Sequence, residues 1–159
     1  MERLTTDRDS YLKEVIKELT QIDLLKNEAN RFTFCEVGQL FNHGYSVSLI
    51  FGEKEYLKIK IWNAAYDNDR FKLGIFNLDR LAVTEKIFNL SESELNKIYG
   101  ILERELETKD YGGIVLDGLF CQLNIDKKTL MWNIDEEMNE NLDNLISILR
   151  KKANVQQSV

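Results

Sequence analysis

The apolar residues of this 159-residue chain change their spacing twice, from helical to alternating and back, and that change constrains the fold more than any motif. Between Thr6 and Asp23, the residues Tyr11, Val15, Leu19 and Ile22 recur at helical steps, with Leu12 and Ile16 beside them. Lys13, Glu14, Lys17 and Glu18 take the remaining positions. One apolar stripe on a polar helix is the pattern of a helix laid on a core. Thr6 and Asp9 resemble a capping pair at its start. From Arg31 the period becomes two. Phe32 and Phe34 alternate with Thr33 and Cys35. Tyr45, Val47, Leu49 and Phe51 alternate with Ser46 and Ser48, and Leu57, Ile59 and Ile61 alternate with Lys58 and Lys60. The last two runs flank the turn Gly52-Glu53-Lys54 and form a hairpin with one wet face.

Residues 63–69 are expected to be a loop and 71–75 a strand; 81–88 fit either a strand or a helix, and are taken as a strand. Ser91 and Glu94 form an S-x-x-E capping box ahead of Leu95, Ile98, Tyr99, Leu102 and Leu106, which predicts a helix over 92–108. A second hairpin follows, with Leu119, Cys121, Leu123 and Ile125 on one arm and Leu130, Trp132 and Ile134 on the other. Asp135 is a candidate N-cap for a last helix carrying Met138, Leu142, Leu145, Ile146 and Leu149. The expected fold is α+β: an antiparallel sheet with about three amphipathic helices packed on one face. No βαβ rhythm appears, and short connections favour antiparallel pairing. A chain of this length suits one domain, assigned to residues 1–152, with 153–159 as a flexible tail. Both hairpins, Gly44 to Asn63 and Gly118 to Asn133, end in Trp-Asn; coincidence explains that echo better than duplication.

Charge narrows the partners. The net charge is −6, which argues against a phosphate-binding surface, because nucleic-acid binding needs clustered lysine and arginine. No apolar run reaches the roughly 18 residues of a membrane span. Met1 to Ser10 lacks the apolar stretch of a secretory signal. A cytoplasmic location is expected, with no membrane or nucleic-acid partner. Between Glu85 and Asp143 the chain carries 14 acids and 6 bases, a local balance of −8. Such a surface steers basic partners. Cys35 and Cys121 share no metal-ligand spacing. Their apolar strand contexts favour buried thiols, and a disulfide between them stays open.

No set of residues reads as a catalytic centre, and no cofactor or metal is expected. His43 is the one histidine and lies in the turn-like Asn42-His43-Gly44, with no nucleophile beside it in sequence. An enzyme reading would need His43, Asp67, Asp69 and Asp117 to converge in a pocket. Asp67-Asn68-Asp69 begins like a calcium loop, but Phe71 and Lys72 stand where a ligand and a glycine belong. Gly112-Gly113 lacks the remainder of a phosphate loop. The aromatic residues point elsewhere. If Leu57, Ile59 and Ile61 face the core, then Tyr56, Lys58, Lys60 and Trp62 line the other side of the same strand. Such a row is unusual unless a partner or a loop of the same chain covers it. Trp132 ends the second hairpin. Asp67 and Asp69 follow Trp62, and Glu136 and Glu140 share a helix face at i,i+4. Tyr56, Lys58, Lys60, Trp62, Asp67, Asp69, Trp132, Glu136 and Glu140 are therefore the candidate partner-binding residues.

In layout, the hairpin from Ile114 to Asn133 followed by an amphipathic C-terminal helix resembles the small acidic α+β immunity proteins that accompany bacterial secreted toxins. That resemblance covers about a quarter of the chain and carries over no functional residue. It implies a protein-binding module that neutralises a basic toxin domain by covering its active site with acids. The alternative is a secretion-chaperone-like dimer that holds an effector segment.

Overall fold

Strand β1 (Ala29–Gly38) runs through the middle of the sheet and joins its two hairpins. On one side it pairs with β2 (Gly44–Phe51), then β3 (Tyr56–Trp62) and β4 (Val83–Asn89). On the other side it pairs with β5 (Leu119–Ile125) and then β6 (Lys128–Asn133). The order is β4-β3-β2-β1-β5-β6, with every pairing antiparallel. This computed structural model describes residues 8–38, 43–72, 81–104, 106, 119–125, 127–133 and 140–157. Four helices accompany the sheet among them: α1 (Arg8–Thr20), α2 (Ala64–Lys72), α3 (Glu92–Leu102) and α4 (Glu140–Gln157). The α+β architecture, both hairpins and the strand expected at 81–88 are as the sequence pattern implies.

Pleat parity sorts the side chains into two cores. Phe32, Phe34, Val47, Leu49, Leu57, Ile59 and Leu123 point to one face, because alternate residues of a strand share a side. There they meet Ile98 and Ile101 of α3 and Leu142, Leu145, Ile146, Leu149 and Ala153 of α4. The capping box forms as its residue types require: Ser91 Oγ accepts from the Glu94 amide at 3.2 Å and Glu94 Oε1 from the Ser91 amide at 3.3 Å. Lys152 of α4 pairs with Glu94 and lies over the Phe88 ring, so α4 ends where α3 begins.

The opposite face is covered too, by α1. Tyr11, Leu12, Val15 and Leu19 pack on Cys35, Val37, Trp62 and Ala64 in a second cluster. Gly44 pairs with Trp62 across β2 and β3, and a Cβ there would lie 3.0 Å from the indole and 3.3 Å from Leu19. Glycine is what lets helix and ring close on the strand. The helices thus divide between two faces and do not pack on one as expected, and the reason is area: α3 and α4 fill one side, and the stripe of α1 needs another apolar surface to bury.

Three local expectations change. Residues 64–72 form α2, not a loop followed by a strand. Asn63 is its cap, with Oδ1 accepting from the Tyr66 amide at 3.1 Å, and the two alanines behind it are strong helix formers. The rest of the expected strand, residues 73–75, lies outside the described residues, as do Thr6 and Asp135. The helix expected over 92–108 ends at Leu102. The expected tail at 153–159 continues α4 to Gln157, with Ala153 fully buried. Ala153 lies four residues beyond Leu149 and so extends the same stripe. Enlarging it in the Ala153→Leu variant would overpack the site and cost roughly 1–3 kcal/mol in a urea titration. A tail would tolerate the same change.

Candidate functional site

Tyr56, Lys58, Lys60 and Trp62 share one face of β3, as alternation requires. That face is not open. α1 and residues 21–28 lie across it, leaving Lys58 and Lys60 each 7% exposed and Trp62 3%. The Lys60 ammonium points up into the end of α1, where helix carbonyls lack intrahelical donors, and the Lys58 ammonium into the segment that follows it. Lys60 Nζ donates to the Glu18 carbonyl at 3.1 Å and the Gln21 carbonyl at 2.5 Å. Lys58 Nζ donates to the Asp23 carbonyl at 3.2 Å and pairs with Glu85 at 3.4 Å. Ser46 Oγ donates to the Leu19 carbonyl at 2.6 Å. Positive charge at a helix C-terminus also complements its dipole. The row expected to meet a partner is therefore occupied by the chain's own first helix.

At the end of that row Tyr56 Oη donates to Glu28 Oε2 at 2.5 Å. Burial, then the bond to Glu28, pushes the Tyr56 hydroxyl up to about 12. Tyr56 and the Leu25 amide together hold the Glu28 carboxyl below its usual range. Trp62 Nε1 donates to Asp67 Oδ2 at 2.8 Å, and the Ala82 amide donates to the same oxygen at 2.7 Å. Arg70 pairs with Asp67 at 3.4 Å. Tyr11 meets the Trp62 ring edge-on at 5.8 Å and donates to Asn68 Oδ1 at 2.9 Å. Asp67, fully buried, is thus a pin that ties α2 and the approach to β4 onto β3, with Tyr11 adding α1 through Trp62 and Asn68, and is not offered to a partner.

The remaining candidates scatter. Trp132 points to the other face, 2% exposed and stacked on Phe34 at 6.1 Å. The two Trp-Asn hairpins thus present their tryptophans to opposite sides of the sheet, which removes the echo between them. Asp69 is exposed on α2. Glu140 is exposed in the first turn of α4. Glu136 and Asp117 lie outside the described residues. The His43 carbonyl accepts from the Gly38 amide at 3.0 Å and closes the β1–β2 connection. Cys35 and Cys121 are free, buried thiols on adjacent strands. Their side chains enter opposite cores, so a disulfide would require one strand to turn over.

Two features stand out that the sequence pattern left unmarked. The first is an ion pair under α4 between a buried carboxylate and a half-buried guanidinium. Glu36, in phase with Phe32 and Phe34, faces Arg150, whose Nη2 and Nε lie 2.7 and 2.8 Å from Oε1. Burial pushes the Arg150 pKa down, but Glu36 and, to a smaller extent, Cys121 and Tyr45 together outweigh it and hold the guanidinium above its ordinary value. The Cys121 thiol lies beside both, 3.7 Å from Glu36. Burial and the carboxylate push it up to about 12, which suppresses the thiolate a nucleophile would need. The signal was an acid inside an apolar strand, Phe32 to Val37, and a base on an apolar helix stripe.

The second feature is a groove beside α1. It encloses about 550 Å³ between Leu12, Lys13, Ile16, Lys17 and Thr20 of the helix and Phe120, Gln122 and Met131 of the sheet. Among the described residues no three histidine, cysteine or carboxylate side chains gather as a metal site would require. None of their helices is long and apolar enough to cross a membrane. Comparison with protein-family models, with curated proteins and with solved structures gave no match.

Removing the Asp67 carboxylate leaves the buried Trp62 indole N–H and the half-buried Ala82 amide without an acceptor. Asp67→Ala is expected to cost roughly 2–4 kcal/mol in urea unfolding followed by tryptophan fluorescence. Asp69→Ala, two residues on and exposed, should stay within about 0.5 kcal/mol.

Proposed function

We propose that this chain is a protein-binding module that covers a basic surface of another protein, and that its concrete form is an immunity protein keeping a toxin inactive by occlusion of the active site. The observation that carries this reading is the edge where α3 ends and α4 begins. Arg104 Nη1 lies 3.5 Å from Asn141 Oδ1, which ties the end of α3 to the start of α4, the two segments that carry Glu103, Glu140 and Asp143. All three carboxylates are exposed. They fall within the stretch whose balance is −8. Carboxylates gathered at an edge raise the encounter rate with a basic partner and reject acidic ones. The helix that carries two of them is seated on the sheet by Leu142, Leu145 and Ile146, which lowers the cost of ordering that edge on binding.

The test is capture of proteins encoded beside this chain, using the wild type and a Glu103→Lys, Glu140→Lys, Asp143→Lys variant. A basic partner should be retained by the wild type, with affinity falling as salt rises. The triple reversal should weaken it about tenfold or more, as rim charges of a few tenths to one kcal/mol each imply. Equal binding by both forms would remove the acidic edge from the account. A neighbour that is no toxin, with no partner captured, would count against the immunity reading itself.

A further inference from the structure

We infer that the groove beside α1 is a docking site for an amphipathic helix with an acidic flank, on the face of the sheet that α1 only partly covers. β5 and β6 are treated differently on their two sides. Toward α3 and α4 they bury Cys121, Leu123 and Trp132. On the other side α1 packs over β1, β2 and β3 and stops short, leaving Met131 54% exposed. Two strands spaced by about 4.8 Å make a shelf ~10 Å wide. One helix with its side chains is about that wide. A second helix laid beside α1 would complete this layer as α3 and α4 complete the opposite one.

The lining states the chemistry. The helix wall runs from Leu12 to Thr20, about 12 Å or two turns at the α-helical rise. Two turns of a partner present apolar anchors at i, i+3 or i+4, and i+7. Leu12 and Ile16 meet such a ridge from the side, and Phe120 and Met131 from the floor. The Thr20 hydroxyl is already committed to the Ile16 carbonyl at 2.7 Å, and the Gln122 amide donates to Asn124 at 3.2 Å. The walls therefore ask for apolar contact and not for hydrogen bonds. Lys13 and Lys17 stand on the rim one turn apart, both exposed, and neither has an ion-pair partner among the described residues. Lysines at i,i+4 match carboxylates at i,i+4 on a helix lying alongside. The lysine stems also extend the apolar wall before their charges reach water.

This site is separate from the acidic edge of α3 and α4, and it selects partners of the opposite charge. Its test uses the full chain and a synthetic helical peptide of about 18 residues, long enough to hold helix, with leucines on one face and glutamates on the flanks. A second peptide carries lysine for each glutamate. Titration followed by the Met131 methyl and Phe120 ring resonances should show the acidic peptide binding in the groove. The lysine peptide, and the Lys13→Glu, Lys17→Glu variant against the acidic peptide, should each bind about tenfold more weakly, from two charge contacts of up to a kcal/mol each. Met131→Glu, an exposed edge position, should abolish the shift of the Phe120 ring while leaving the melting temperature nearly unchanged. Equal affinity for both peptides would overturn the proposal, as would shifts confined to the Glu103–Glu140 edge. So would a free protein in which Met131 already contacts another segment of its own chain, or one that sediments as a dimer closed over the groove. Any of these leaves the acidic-edge reading standing, because the charge reversals that test that reading touch other residues.

Discussion

Two lysine ammonium groups inside the protein decide where its first helix lies. The last carbonyls of α1 and of the segment after it would be left without donors against an ordinary sheet face. Lys58 and Lys60 supply those donors from the strand below, and Ser46 adds a third from the neighbouring strand. Burying an ammonium costs several kcal/mol unless it is paired and fully hydrogen-bonded. Here each side of the contact meets the need of the other. The strand's charges are satisfied by carbonyls, and the helix end is capped by charges that suit its dipole. With α1 held there, Tyr11 reaches Trp62, Trp62 reaches Asp67, and α2 is fixed at the end of β3.

A matching device holds α4 on the other face. Glu36 and Arg150 form a pair between sheet and helix, with Tyr45 and Cys121 around it. Tyr45 directly faces Glu36 across the β1–β2 ladder, and burial, then the carboxylate, raises its hydroxyl pKa. Such pairs add little net stability when both partners are present, yet are costly to halve. Their effect is to specify one seating of α4 along the sheet, since a slide by one turn would strand both charges. Each face of the sheet is thus registered by charge as well as by apolar packing. Much of the unpaired charge is left on the exterior, with exposed carboxylates at the ends of α3 and α4 and the exposed Lys13 and Lys17 where α1 borders the groove.

The periodicity of the chain made the sheet legible. Two hairpins, α1, α3 and the C-terminal helix all follow from apolar spacing, and Ser91 with Glu94 marks the start of α3; spacing alone left residues 81–88, where β4 forms, between strand and helix. The faces were harder to read. Alternation places Lys58 and Lys60 opposite Leu57 and Ile59, but it cannot say whether the polar side is wet or roofed by a helix, because a lysine facing orphan carbonyls and a lysine facing water have the same neighbours in sequence. The hint lay in β1, where Cys35 and Val37 alternate with Phe34 and Glu36 and so carry apolar residues onto the second face. α2 was missed because Asn63 and the acids after it suit a turn as well as a helix start. Of the candidate site, Asp69 and Glu140 are exposed as a partner surface requires. The row on β3, Asp67 and Trp132 prove internal, since aromatic and charged residues that look like contact points also serve as buried pins. The groove had no signature at all: it exists because α1 is narrower than the sheet, a fact of packing that no local spacing encodes.

Selective acylation of lysines in the folded protein, read by mass spectrometry, addresses the central claim directly. Lys13 and Lys17 on the outer side of α1 should react freely, while Lys58 and Lys60 stay unmodified until urea unfolds the chain. Modification of Lys58 and Lys60 at the rate of Lys13 would mean that β3 faces water, that α1 lies elsewhere, and that the two-sided architecture described above is wrong.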